Sequence, residues 1–169
     1  MRRAHARSNQ FSRASGTEFG RFGDVEMVDV GDNTIDFADF VARELKAAQE
    51  NNQSCLLVTM LPKCPSCAAL GYALSRGVLT HKLGKIRILR LDLDEFEQEI
   101  RGMHLPIDRV PGFILVDGSG RISDFLDAGE WNTNDPAEFA PILVQFVSGN
   151  LHQRRYPFHQ DPQSRSIDL

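Results

Sequence analysis

Cysteine is scarce in this 169-residue chain, occurring only at Cys55, Cys64 and Cys67. Three cysteines do not make the disulfide framework of a small secreted domain. No second Cys-x-x-Cys and no His-x3-His pattern accompanies them, so the usual four ligands of a structural zinc site are not supplied and no metal is expected. A basic excess is also missing: the net charge is −4, which gives no electrostatic case for nucleic acid as a partner. No apolar run approaches the roughly 20 residues needed to span a bilayer. Internal repeats are absent, and no cofactor is expected. Residues 1–22 contain only Glu18 as an acid and lack the apolar stretch of roughly 7 to 15 residues that a secretory signal needs. They do carry Arg2, Arg3, Arg7, Arg13 and Arg21. That composition fits a flexible basic arm or an organelle transit peptide, and the arm is the reading adopted. The expected location is cytoplasmic, or an organelle matrix if the arm is a transit peptide.

What is present suits one globular domain with two tails: 41% hydrophobic and 25% charged residues are ordinary for such a chain. The expected organisation is the arm at 1–22, a domain at 23–150 and a polar C-terminal tail at 151–169. Residues 24–30 alternate as a short strand. Asp32, Asn33 and Thr34 offer caps for a helix reaching about Glu50. Phe37, Phe40, Val41, Leu45 and Ala48 form its apolar stripe. The run at 55–60 reads as a buried strand. A helix follows Cys67, with a kink expected at Gly71 and a stop at Gly84. Residues 85–92 make a strand and 95–103 a short helix. Residues 112–117 and 121–126 form a hairpin across Asp117-Gly118-Ser119-Gly120. Asp135, Pro136 and Glu138 have the spacing of a helix start. Phe139, Ile142, Leu143, Phe146 and Val147 give that helix its buried face.

The chemistry concentrates at Cys64-Pro65-Ser66-Cys67, where the strand hands over to the helix. Cys64 is expected at the helix N-terminus, where free N–H groups and the positive end of the macrodipole stabilise a thiolate. Lys63 adds positive charge beside it. Pro65 fits the first helical position, which needs no donor. Cys67, one turn on, is expected to be deeper and less accessible. The roles that follow are attacking thiolate for Cys64 and resolving thiol for Cys67. Half of a zinc site, or two core cysteines on a helix face, remain the other readings of the pair alone. In Arg109-Val110-Pro111-Gly112 a proline opens a strand-like run, where it cannot donate to a ladder. A cis Val110–Pro111 bond is a reason for it, leaving the backbone of Val110 as an edge for a substrate peptide.

Cys64-Pro65-Ser66-Cys67 after a strand, Val110-Pro111 before a strand, and Arg90-Leu91-Asp92-Leu93-Asp94 as central strand and exit together resemble the thioredoxin superfamily, over about residues 24–150. The resemblance implies an α/β thioredoxin-like fold, a central mixed sheet with helices on both faces in the order βαβαβαββα. It also implies a thiol–disulfide oxidoreductase with a redox-active disulfide, acting on protein disulfides and served by a reducing partner. Cys64 and Cys67 take the catalytic roles. Lys63, Pro65, Ser66, Arg109, Val110 and Pro111 form the substrate-binding surface. The chain departs from the family pattern at Lys63, where tryptophan is usual, and at Gly112, where threonine is usual. No buried acid stands near Val58-Thr59, and no Gly-Gly-x-Asp stretch follows Pro111 to suggest a glutathione site.

Smaller candidates complete the reading. His104 and Asp108 precede Pro111, and His104 could replace the missing acid as a proton carrier. Arg109 could select acidic substrates. Arg90 is expected to reach water along its stem, and Cys55 to be an inert buried thiol, with a regulatory or ligand role alongside His81 as the alternative. Trp131 has no assigned role. Tyr156-Pro157-Phe158 is the one apolar patch of the C-terminal tail, either solvated or a docking peptide. The alternative function is therefore a non-catalytic subunit held in a larger assembly by its two tails.

Overall fold

A computed structural model of the chain describes residues 11–14, 17–29, 36–102, 104, 105 and 107–159. In chain order the elements are β1 (Phe11–Ala14), β2 (Thr17–Phe22), β3 (Val25–Asp29), α1 (Phe37–Glu50), β4 (Ser54–Met60), α2 (Pro65–Ser75), β5 (Ile86–Asp92), α3 (Leu93–Gly102), β6 (Gly112–Val116), β7 (Ile122–Asp127), a 3-10 turn at Ala128–Glu130, and α4 (Pro136–Val147). The strands form one seven-stranded sheet in the order β1-β2-β3-β5-β4-β6-β7. β5 runs parallel to β3 and β4, while β6 runs antiparallel to β4 and β7 to β6. From β3 onward the order is βαβαβαββα, as expected for the thioredoxin-like fold.

Both faces of the sheet are covered, and the strand alternation shows which residues face where. Leu56, Val58, Ile86, Ile88 and Phe113 pack with Leu70, Leu74, Phe139, Leu143 and Phe146 of α2 and α4. Leu57, Leu89, Leu91 and Ile114 pack with Phe37, Phe40, Val41, Phe96 and Ile100 of α1 and α3. Four residues of the expected α1 stripe are buried, and Leu45 packs half-buried against the same cluster. Trp131 belongs to this interior as well, with ring centroids 5.9 Å from Phe113 and 5.6 Å from Phe139. No helix among the described residues is long and apolar enough to cross a membrane.

Several boundaries differ from the sequence reading. α1 begins at Phe37 with Asp36 as its cap, the Asp36 carboxylate accepting from the Asp39 N–H at 3.1 Å. The caps expected at Asp32, Asn33 and Thr34 lie outside the described residues. α2 continues through Gly71, where a Cβ would meet open space, and stops far short of Gly84. The stop is Gly77, whose φ of +76° lets its N–H reach the Leu74 carbonyl while the Val78 N–H reaches that of Ala73. That paired closure satisfies the last carbonyls of the helix and requires a left-handed residue. α3 begins at Leu93 rather than at Glu95. α4 starts as expected, with Asp135 capping the Ala137 N–H at 2.9 Å. Glu138, however, reaches further back, to the N–H groups of Asn132 and Thr133.

The largest correction concerns the termini. The sheet begins at Phe11, so the described part of the expected arm is a β-hairpin added to the edge of β3. Its charge is used locally: Arg21 lies directly opposite Glu26 and pairs with it. Arg87 donates to the same Glu26 at 2.6 Å and to Glu44 at 2.7 Å. Burial raises the Glu26 pKa, but hydrogen bonds from Gln53 and Arg21 and the nearby arginine charges outweigh it, leaving that pKa low. Phe22, at the end of β2, is 6% exposed and joins the α2/α4 core. At the other end, residues 151–159 pack on the domain instead of leaving it. Residues 1–10 and 160–169 lie outside the described residues.

If the hairpin is integral, Phe22→Ala removes a buried aromatic from the core and should cost about 3 kcal/mol or more of stability. Denaturant unfolding checks this. A midpoint equal to the parent's would return residues 11–22 to the status of a loose arm.

Candidate active site

The site is assembled at the end of the sheet where β4 finishes. Apolar β4, with Leu57 and Thr59 wholly buried, delivers the chain through residues 61–63 to Cys64. Cys64 is the N-cap of α2 in extended conformation (φ −109°, ψ 112°), with Pro65 in the first turn. Its Sγ accepts the backbone N–H of Cys67 at 3.1 Å. Cys64 and Cys67 form a disulfide, with Cα atoms 5.1 Å apart. Both cysteines are half-buried.

Facing the disulfide is the loop that opens β6. The Val110–Pro111 bond is cis, and the Val110 carbonyl oxygen stands 3.9 Å from Cys64 Sγ. Val110 is half-buried and Pro111 buried. The loop is tied down on both sides: the Pro111 carbonyl accepts the Ala128 N–H at 3.1 Å, and the Gly112 N–H donates to Thr59 Oγ1 at 3.1 Å. Gly112 is opposite Thr59 in the β4–β6 register. A Cβ on Gly112 would stand 2.7 Å from Thr59 Oγ1 and 3.3 Å from a Phe125 ring carbon. Glycine is therefore required here for close approach, which accounts for the departure from threonine noted in the sequence.

The remaining expected residues fall into distinct settings. Lys63 and Pro65 are exposed. Ser66 is half-buried, and its hydroxyl donates to Asn134 Oδ1 at 2.7 Å, joining the start of α2 to the loop before α4. Glu138 organises that loop. Hydrogen bonds from Thr133 and Asn132 hold its carboxylate below the usual range. Arg109 is not a free cation: its Nη1 is 3.6 Å from Asp127 Oδ1, and its guanidinium lies 4.2 Å from the Tyr156 ring centroid.

Other sequence candidates move away from the chemistry. Arg90, its side chain 21% exposed, forms a two-pronged ion pair with Asp29 on neighbouring β3. Its strand position places it opposite Asp29, a long-range pairing that spacing alone does not reveal. His104 and Asp108 are exposed, and neither shares a hydrogen bond or ion pair with the cysteines among the described residues. Cys55 is free, 4% exposed, and burial pushes its thiol up to about 12, against the opposing charge of Arg87. Such a thiol is unreactive at neutral pH. Among the described residues no cluster of three or more His, Cys, Asp or Glu side chains could hold a metal ion. Tyr156, 52% exposed, lies against Arg109, and Phe158 packs on Phe125 with ring centroids 5.9 Å apart. Sequence reasoning missed Thr59 and Asn134, and it singled out Tyr156 as part of an apolar patch without its contact to Arg109. Thr59 left a trace, as the one hydroxyl in an apolar run; Asn134 did not.

The fold has solved counterparts. The structure is similar to a disulphide isomerase from Xylella fastidiosa Temecula1 (TM-score 0.51, 20% identity, covering 70% of this chain and 93% of that one). It is also similar to a poplar thioredoxin h (TM-score 0.50, 18% identity, 78% of this chain and 99% of that one). No protein-family model matches the chain, and no curated protein shows a significant sequence match. At these identities the likeness is one of architecture: the chain has the thioredoxin fold. Within it, the chain carries a vicinal cysteine pair at the N-terminus of α2.

The contact between Gly112 and Thr59 makes a test of the site's geometry. Gly112→Ala should lower stability by about 1–3 kcal/mol, the usual cost of forcing a methyl group into a packed position. Urea titration reads the change. An unaltered midpoint would mean that the loop does not approach Thr59 as described.

Proposed function

We propose that the chain is a thiol–disulfide oxidoreductase acting on disulfides of other proteins. The observation that carries this reading is the Cys64–Cys67 pair itself. Its first sulfur caps α2, accepts the Cys67 N–H at 3.1 Å and faces the Val110 carbonyl at 3.9 Å. A sulfur at a helix N-terminus, receiving a backbone N–H, is stabilised as the thiolate, the form that attacks disulfides.

In the reducing direction the Cys64 thiolate attacks one sulfur of the substrate disulfide. The Cys64–substrate S–S bond forms, the substrate S–S bond breaks, and the expelled substrate thiolate takes up a proton. Cys67, deprotonated, then attacks Cys64 Sγ. The Cys64–Cys67 disulfide forms, the mixed disulfide breaks, and the second substrate thiolate is protonated. Two electrons and two protons pass to the substrate, and a dithiol reductant must return them to the chain.

The other residues have supporting parts. Lys63 adds positive charge beside Cys64. Pro65 pre-sets the first turn without wasting a donor, and Ser66 anchors that turn to Asn134. Val110 and Pro111 offer the substrate a backbone edge beside the reactive sulfur, and Arg109 leads into that edge. A cytoplasmic setting, where thiols are kept reduced, favours the reducing direction.

Cys67→Ser removes the resolving thiol and should stall the reaction at the mixed disulfide. Bands from a cell extract should remain attached through Cys64, disappear on reduction, and be absent in a Cys64→Ser/Cys67→Ser control. If nothing is captured and the wild type fails to accelerate insulin reduction by dithiothreitol, the oxidoreductase reading falls.

A further inference from the structure

After α4 the chain turns back across the domain without forming helix or strand. One bond within the segment and several to the domain fix it. Arg154 Nε donates to the Leu151 carbonyl at 3.3 Å. The same guanidinium pairs through both Nη groups with the Asp124 carboxylate, and its Nη1 donates to the Phe125 carbonyl at 3.1 Å. Glu130, only 8% exposed, accepts the N–H groups of Arg155 and Tyr156, each at 2.9 Å. Phe158 packs on Phe125. Leaving a buried carboxylate and two backbone donors unpaired is costly, so these bonds define one path for the segment.

That path delivers Tyr156 to Arg109. The guanidinium lies over the ring at 4.2 Å, with Asp127 Oδ1 at 3.6 Å from Nη1. All three side chains converge on Gly129: a Cβ there would stand 2.6 Å from Arg109 Nη1, 2.9 Å from Asp127 Oδ1 and 3.0 Å from Tyr156 Cε2. The cluster is fitted around Gly129, where an added Cβ would have to displace the end of the Arg109 side chain. Arg109 is covalently next to Val110, whose carbonyl faces Cys64.

We propose that Tyr156 is a positioning residue of the active site: with Asp127 it clamps Arg109 and so holds the backbone of Val110 in place beside Cys64. This rests on the reading of residues 109–111 as the substrate loop. Tyr156 does not touch the sulfurs and acts only through Arg109. The C-terminal segment is thereby part of the substrate-binding apparatus. Arg109 serves to hold the loop, its charge already shared between Asp127 and the ring, rather than to select acidic substrates.

The test compares wild type with Tyr156→Ala and Tyr156→Phe in the full chain, using insulin as protein disulfide and DTNB as small disulfide, with the Gly112 amide exchange rate measured alongside. Phenylalanine keeps the ring and the cation–π contact. Tyr156→Ala should raise KM for insulin about fivefold with little change in kcat, leave DTNB reduction near wild type, and speed Gly112 exchange about fivefold, as expected for loss of a stacked cation. Tyr156→Phe should restore all three. Equal loss on insulin and DTNB, or an unchanged insulin KM with unchanged Gly112 exchange, overturns the clamp. Should Tyr156→Ala fail to fold, Arg109→Lys supplies the same comparison, because lysine keeps the charge and loses the planar stack. If wild type reduces neither disulfide, the oxidoreductase reading fails, and Gly112 exchange still decides the clamp: faster in Tyr156→Ala upholds it, unchanged overturns it.

Discussion

The pairing of Thr59 with Gly112 sets the geometry of the site. It is the end of the β4–β6 ladder nearest the cysteines. Because the two strands run antiparallel, the point where β4 releases the chain toward Cys64 is also the point where β6 receives it from Pro111. The cysteine loop and the proline loop must then be neighbours, and the 3.9 Å separation of Cys64 Sγ from the Val110 carbonyl follows. The register has little freedom. Slipping by one residue would turn Leu57 and Ile114, both fully buried, to the opposite face of the sheet. Thr59 adds a hydrogen bond from the Gly112 N–H at a position where only glycine lets it approach.

Around that pairing the two termini perform similar work at opposite sides of the sheet. The β1–β2 hairpin covers the edge that β3 would otherwise expose, and the C-terminal segment reaches the far edge, where Arg154 takes the carbonyl of Phe125 on β7. Unpaired strand edges invite pairing with other chains. Two arginines of segments that look like polar, basic tails by composition have specific partners: Arg21 pairs with Glu26 and Arg154 with Asp124. Hydrogen bonding and the Asp124 charge outweigh the desolvation of Arg154 and hold its pKa above the usual arginine value.

What the sequence made legible was local. The apolar run of β4, the stripe of α1, the Asp135–Pro136 start of α4 and the Cys64–Cys67 spacing each depend on a few neighbouring residues, and each stands where expected. The residues that were misread depend on distant partners. Arg90 looks like a snorkelling side chain until β3 places Asp29 opposite it. Arg109 looks free until Tyr156, far along the chain, arrives over it. The hairpin at Phe11–Phe22 was hidden because arginine and serine mask the alternation of its strands; Phe22 at its end is buried in the core. Gly84 was the expected stop of α2, but both it and Gly77 have positive φ, and the closing bonds to Leu74 and Ala73 form only at Gly77.

The proposed chemistry depends on the N-terminus of α2 stabilising the Cys64 thiolate. The direct test is its alkylation rate against pH, measured by iodoacetamide on the reduced Cys67→Ser chain, where burial keeps Cys55 unreactive at neutral pH with its thiol pushed up to about 12. A midpoint clearly below the value of about 8.5 for a free cysteine is expected. A midpoint at or above that value would mean that neither the helix end nor the neighbouring N–H makes Cys64 a nucleophile, and would contradict the account.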